Sequence, residues 1–190
     1  MLAFFEAAFG TENGLRLVIL IAAVLALGLY LKFGSRNKVK SHADKLQDMY
    51  RVMDSKKLER IPNSELIDAV ISNIMAGLDP RNPDVYRKVP LLSRGRCAVY
   101  SVWLTCNELR DGGIAGYLAS PSGRFAQLAS DGLELVGAEI SSSLLKDAYT
   151  SDEPDEIETA GRQLAAAIEQ EKPLELCIQY IRTNPIEFID

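Results

Sequence analysis

Hydrophobic and polar positions divide the chain near Phe33. Before that point, Leu17 through Leu31 is an unbroken apolar run inside LRLVILIAAVLALGLYLKF, Leu15 to Phe33. As a helix rising about 1.5 Å per residue the run spans roughly 22 Å. Extended from Gly14 to Phe33 it reaches about 30 Å, the thickness of a bilayer core. Arg16 and Lys32 stand at the two ends, where long stems reach headgroups, and Tyr30 and Phe33 fall at one interface. A signal peptide would begin basic, yet MLAFFEAAFGTENG carries only acidic charge. Nor does the run show the polar face of a buried core helix. The pattern predicts a retained transmembrane helix over 15–33 behind a short N-terminus, 1–14.

Beyond it the apolar positions recur every three or four residues. RNKVKSHADKLQDMYRVMDSKKLERI reads as a polar helix with a thin stripe of Leu46, Met49, Tyr50 and Met53, stopped by Pro62. It predicts a basic juxtamembrane helical linker over 34–61. PNSELIDAVISNIMAGLDP has a cap at Asn63 or Ser64, an end at Gly77 and Pro80, and a wide stripe of Leu66, Ile67, Val70, Ile71, Ile74 and Met75. RNPDVYRKVP predicts a loop with a helical turn, and LLSRGRCAVYSVWLTCNELRD a mostly apolar central helix. Ser120, Pro121 and Ser122 open a further helix, which Gly137 separates from the next. Pro154 opens another, with acidic residues in its first turn as the helix dipole prefers. A last helix buries Leu174, Cys177, Ile178 and Ile181, and Ile186, Phe188 and Ile189 form a tail that must dock. No strand alternation is convincing. The expected fold is all-α: one N-terminal transmembrane helix, then a multi-helix soluble bundle over 62–190.

NELRDGGIAGYL holds two adjacent glycines between helical patterns. Glycine in a helix interior costs about 1 kcal/mol against alanine, whereas past a helix C-terminus it supplies positive φ. The helix is therefore expected to end at Gly112, and IAGYLA to turn back on it, with Gly116 permitting close packing.

Charge sharpens this picture. The 190 residues carry a formal net charge of −5, with 47% hydrophobic and 25% charged residues, a globular composition. Residues 34–100 hold 13 Lys/Arg against 8 Asp/Glu, while residues 131–190 hold 4 against 14. Lys32, Arg36, Lys38 and Lys40 follow the apolar run, and only Arg16 precedes it. The positive-inside rule then puts the large C-terminal part in the cytoplasm and the N-terminus outside. The same cations would lie over anionic lipid. Cys97, Cys106 and Cys177 are odd in number and fit no zinc spacing, so buried free thiols are expected.

Catalytic machinery finds little support. His42 is the only histidine, too few for a multi-histidine metal site or a His-based triad. No glycine-rich phosphate loop occurs. We expect no cofactor, no metal and no enzymatic activity. Asp152, Glu153, Asp155, Glu156 and Glu158 form an acidic run: a solvated helix start or a contact for a partner protein, together with Tyr117 at the glycine corner. From a different class, Glu108 and Asp111, three apart on one helical face, could serve a hydrolase, with helix capping as the plainer role.

The order of residues around the corner also carries a resemblance. Asn107, Glu108, Gly112, Gly113 and Tyr117, then Leu135, Val136, Gly137, Ala138 and Ala148, and the ending YIRTNPIEF resemble the bacterial DNA mimic protein nineteen family over about 91–188. The resemblance implies a helical domain that binds protein. Its alternative form is a DNA mimic whose acidic surface sequesters a DNA-binding protein. The membrane segment is not part of that family domain; the bacterial origin that the resemblance implies, taken with the flanking charge, makes the inner membrane the expected place of the anchor. Ile114 and Ala115 depart from the aromatic residues usual after the glycines. The expected function is a membrane-anchored, non-enzymatic protein-binding module. Its partners would be a protein and, through the N-terminal helix, membrane lipid, with no direct nucleic acid binding; a homodimer is left open.

Overall fold

The computed structural model describes residues 42–78 and 85–190. The predicted membrane helix, residues 1–14 and the flanking Arg16, Lys32, Arg36, Lys38 and Lys40 lie outside the described residues. Among the described residues no helix is long and apolar enough to cross a membrane, and all regular structure is helical. Residues 42–190 cluster as one unit.

The stripe of Leu46, Tyr50 and Met53 folds differently from the continuous helix expected. Helix α1, His42–Tyr50, stops, and α2, Ser55–Arg60, restarts. Asp54 causes the break by capping α2: its Oδ1 accepts the Lys57 N–H at 2.8 Å. The freed carbonyls find donors. Lys57 Nζ donates to Met49 O at 2.6 Å and Val52 O at 2.9 Å, and Asn73 Nδ2 donates to Tyr50 O at 2.9 Å. Tyr50 and Met53 turn inward and are buried, whereas Met49 points out. Residues 42–61 are thus part of the packed unit, with α1 lying on α3, Asn63–Leu78. The α3 stripe buries Leu66, Val70, Ile71 and Ile74 as expected, with Ile67 and Met75 half-buried.

A short helix α4, Val85–Lys88, and a 3-10 turn, Val89–Leu91, lead into the central helix α5, Arg94–Ala119. α5 packs against α6, Ala126–Val136; α7, Glu139–Thr150, packs on α6; and α8, Pro154–Glu171, packs on α7 and returns to α5. Helix α9, Pro173–Thr183, crosses α5, α6 and α3, joining the two ends of the unit. Val99, Leu133, Leu145, Leu164 and Ile181 are fully or almost fully buried where these helices meet.

The glycine corner is a kink inside α5. Gly113, one residue later than expected, has φ 63° and ψ −174°, a region essentially closed to side-chain-bearing residues. Gly116 does not provide close packing: nothing lies within 4 Å of where its Cβ would be. The close approach comes from Gly161 on α8, where a Cβ would overlap Ile114 Cγ2. At the end of α6, Gly137 adopts φ 94°. Gly137 N–H donates to Glu134 O and Ala138 N–H to Leu133 O, at 3.0 and 2.8 Å, the bond pair of a Schellman motif.

Candidate partner-binding surface

The acidic run builds a surface because α7 ends where α8 begins. Pro154 occupies the first turn of α8, and Asp155 and Glu156 follow it there, favoured by the unpaired N–H groups of the helix start. Ser151 Oγ accepts the Glu153 N–H at 3.1 Å and donates to Glu156 Oε2 at 2.7 Å, tying the loop to the helix. Asp152, Glu153, Asp155, Glu156 and Glu158 are all exposed. Glu158 pairs with Arg162 at 2.7 Å, both sides well exposed, so this pair contributes little to stability.

Tertiary packing adds a carboxylate that sequence reading missed. Asp147, in the last turn of α7, joins Asp155 and Glu156 around a groove of about 360 Å³, which Leu144, Thr159, Ala160 and Gln163 also line. Asp147 has no local signal, because it reaches the cluster only when α7 and α8 pack side by side. The groove combines an apolar floor with carboxylates contributed by two helices.

The glycine corner plays another part. Tyr117, expected at a partner contact, is fully buried and accepts a hydrogen bond from the Thr105 hydroxyl at 2.9 Å, bracing the kink from inside. Burial pushes its phenol up to about 12. Glu108 Oε1 accepts the Ser122 hydroxyl at 3.2 Å, holding the turn that follows the corner, and Asp111 is exposed. Asn107 is half-buried, Gly112, Gly113 and Gly137 are exposed, and Ala138 is buried.

A second concavity, of about 280 Å³, lies between α5, the end of α8 and the start of α9. Leu109, Ile168, Pro173 and Leu174 line it beside Arg110, Glu169 and Glu175. Cys106 also lines it, its thiol pushed up to about 11 by burial. Burial likewise raises Cys177 and Cys97. All three are free thiols, held in the neutral form that is a poor nucleophile. Among the described residues no group of three or more His, Cys, Asp or Glu could hold a metal.

The order of these elements, a kinked helix, a Gly-Ala step and an acidic hairpin, can now be set beside known proteins. Residues 91–184 match the family model of the DMP19-like proteins. The match covers about half of the chain. It begins just before α5, ends just after α9, and contains the corner, the acidic groove and the second concavity. Helices α1 to α4 and the tail from Pro185 fall outside this DMP19-like stretch. No curated protein and no solved structure matches the chain.

Proposed function

We propose that this chain is a membrane-held, non-enzymatic protein-binding module whose acidic α7–α8 face receives a basic surface of another protein. The observation that carries this reading is the convergence of Asp147, Asp155 and Glu156 on the Leu144–Ala160 floor. Asp152, Glu153 and Glu158 flank it, all within the DMP19-like stretch. A lysine or arginine can lay its methylenes on such a floor while its charged head meets the carboxylates. Binding is favoured over hydrolysis because Glu108 is engaged with Ser122 at the corner. The apolar run over 15–33 supports an inner-membrane anchor with the helical unit on the cytoplasmic side.

The DMP19-like match favours a second reading, mimicry of DNA. The groove of a DNA-binding protein is built to meet phosphates, and closely spaced carboxylates offer it the same sign of charge. The experiment is affinity purification of the full chain in mild detergent, followed by mass spectrometry. It is repeated with the combined variant Asp147→Asn, Asp155→Asn, Glu156→Gln. A basic protein is expected with the unmodified chain and should be lost in the variant and at high salt. Unchanged capture by a folded variant sinks the acidic face. If the captured protein binds DNA and duplex DNA displaces it, mimicry gains; if DNA leaves it in place, mimicry fails and the binding module stands.

A further inference from the structure

The break between α1 and α2 does more than end a helix. It turns Tyr50 and Met53 inward and leaves Met49 and Val52 outside, 56% and 63% exposed. These two apolar side chains belong to one turn, because their carbonyls share the Lys57 ammonium at 2.6 and 2.9 Å. Arg51 stands between them, exposed, and Lys45, Lys56 and Arg60 are exposed on the helices to either side. Among the nearby acids, Asp54 is engaged as the cap of α2, and Asp48 and Glu59 are exposed. The result is an exposed tip with two apolar side chains, where residues 45–60 hold five Lys/Arg against three Asp/Glu.

We propose that the Met49–Val52 tip docks on the anionic leaflet of the membrane, Met49 and Val52 entering the interface and Arg51, Lys56 and Arg60 meeting lipid phosphates. This goes beyond the anchor and rests on it. The chain between Phe33 and His42 can extend about 30 Å at most, so a bilayer anchor at 15–33 keeps α1 within reach of the headgroups. Charge complementarity supplies the orientation. Basic side chains are drawn to an anionic leaflet, so the turn that carries them faces it.

The test uses the full chain carrying Val52→Trp, reconstituted into phosphatidylcholine–phosphatidylglycerol vesicles with brominated acyl chains; the unmodified chain gives the Trp103 background. Docking predicts blue-shifted emission from the introduced indole, quenched by brominated lipid. The quenching should fall sharply in pure phosphatidylcholine, in high salt, or with Arg51→Glu and Lys56→Glu added. Solvent-like, unquenched emission in a chain that floats with the vesicles overturns the docking and leaves the anchor intact. Blue-shifted but unquenched emission overturns it in favour of a protein contact, from a second copy or a partner. A chain that fails to float overturns anchor and docking together.

Discussion

At the level of single residues the adjacent glycines separate two physical roles. Gly113 has the positive φ of the kink. Replacing it with alanine imposes backbone strain of about 1–3 kcal/mol, larger than the roughly 0.4–1 kcal/mol gained from a less flexible unfolded chain. Gly112 is exposed, with open space where a Cβ would go and no positive φ, so there only the entropy term operates. Gly113→Ala should lower the urea midpoint and Gly112→Ala should raise it. Equal shifts for both would show that the kink does not depend on Gly113. Sequence pattern placed the corner within one residue, because helix termination is a local property. It misassigned the close contact to Gly116, since the neighbour of a glycine depends on which helix packs there. Gly161 makes that contact against Ile114.

At the level of elements, helices are finished by residues from elsewhere in the chain. Ala138 at the start of α7 makes no side-chain cap. Glu171, at the end of α8, accepts the N–H groups of Ile140 and Ser141 at 2.9 and 2.8 Å and the Ser141 hydroxyl at 2.6 Å. Helix α5 has a local cap, Ser93 Oγ accepting the Arg96 N–H at 3.3 Å, and a distant one besides: Glu187 accepts the Gly95 N–H at 2.5 Å and the Tyr180 hydroxyl at 2.8 Å. Burial opposes the charge on Glu171, but its hydrogen bonds outweigh that and hold its carboxyl below the usual range. A lowered folded-state value stabilises the fold above the ordinary glutamate range of about 4.3. That stabilisation is lost as pH falls through the lower, folded value. Glu171→Gln should therefore melt earlier than the unmodified chain at pH 7, with the difference shrinking in acid. A constant difference across that range in thermal unfolding would contradict an ionised cap.

At the level of the whole molecule, the stretch outside the DMP19-like match is fastened to it by a few charged side chains. Arg182 on α9 donates to Leu58 O at 2.8 Å, to Asn63 Oδ1 at 3.0 Å and to Ile61 O, closing the end of α2 and the start of α3. Asp190 Oδ2 accepts the Met53 N–H at 2.7 Å and Asn73 Nδ2 at 3.0 Å, while Oδ1 pairs with Arg96 at 2.8 Å. A hydrogen bond to a charged group contributes about 1.5–3 kcal/mol, and bonds that share one half-buried guanidinium do not add in full. Arg182→Ala should therefore cost about 2–3 kcal/mol and speed hydrogen exchange in 55–78 more than in 94–171. Lysine should not restore protection, lacking the planar fork that reaches several acceptors at once. Uniform acceleration would mean that the two parts unfold together, without a separable joint.

Read alone, the chain specified what short-range physics decides. The three- and four-residue spacing of Leu66, Val70 and Ile74, the punctuation at Pro62, Gly137 and Pro154, and the acidic first turn of α8 follow from neighbours within about one helical turn. The break at Asp54 was less legible, because an apolar stripe continues through it and the donors that stabilise it, Lys57 and Asn73, act only after folding. Only the packed structure brought Asp147 beside Asp155 and Glu156, turned Tyr117 inward, and carried Glu171, Glu187 and Arg182 to distant helix ends. Such pairings have no local signature. They depend on where the chain returns, which is set by how all the apolar stripes bury one another at once.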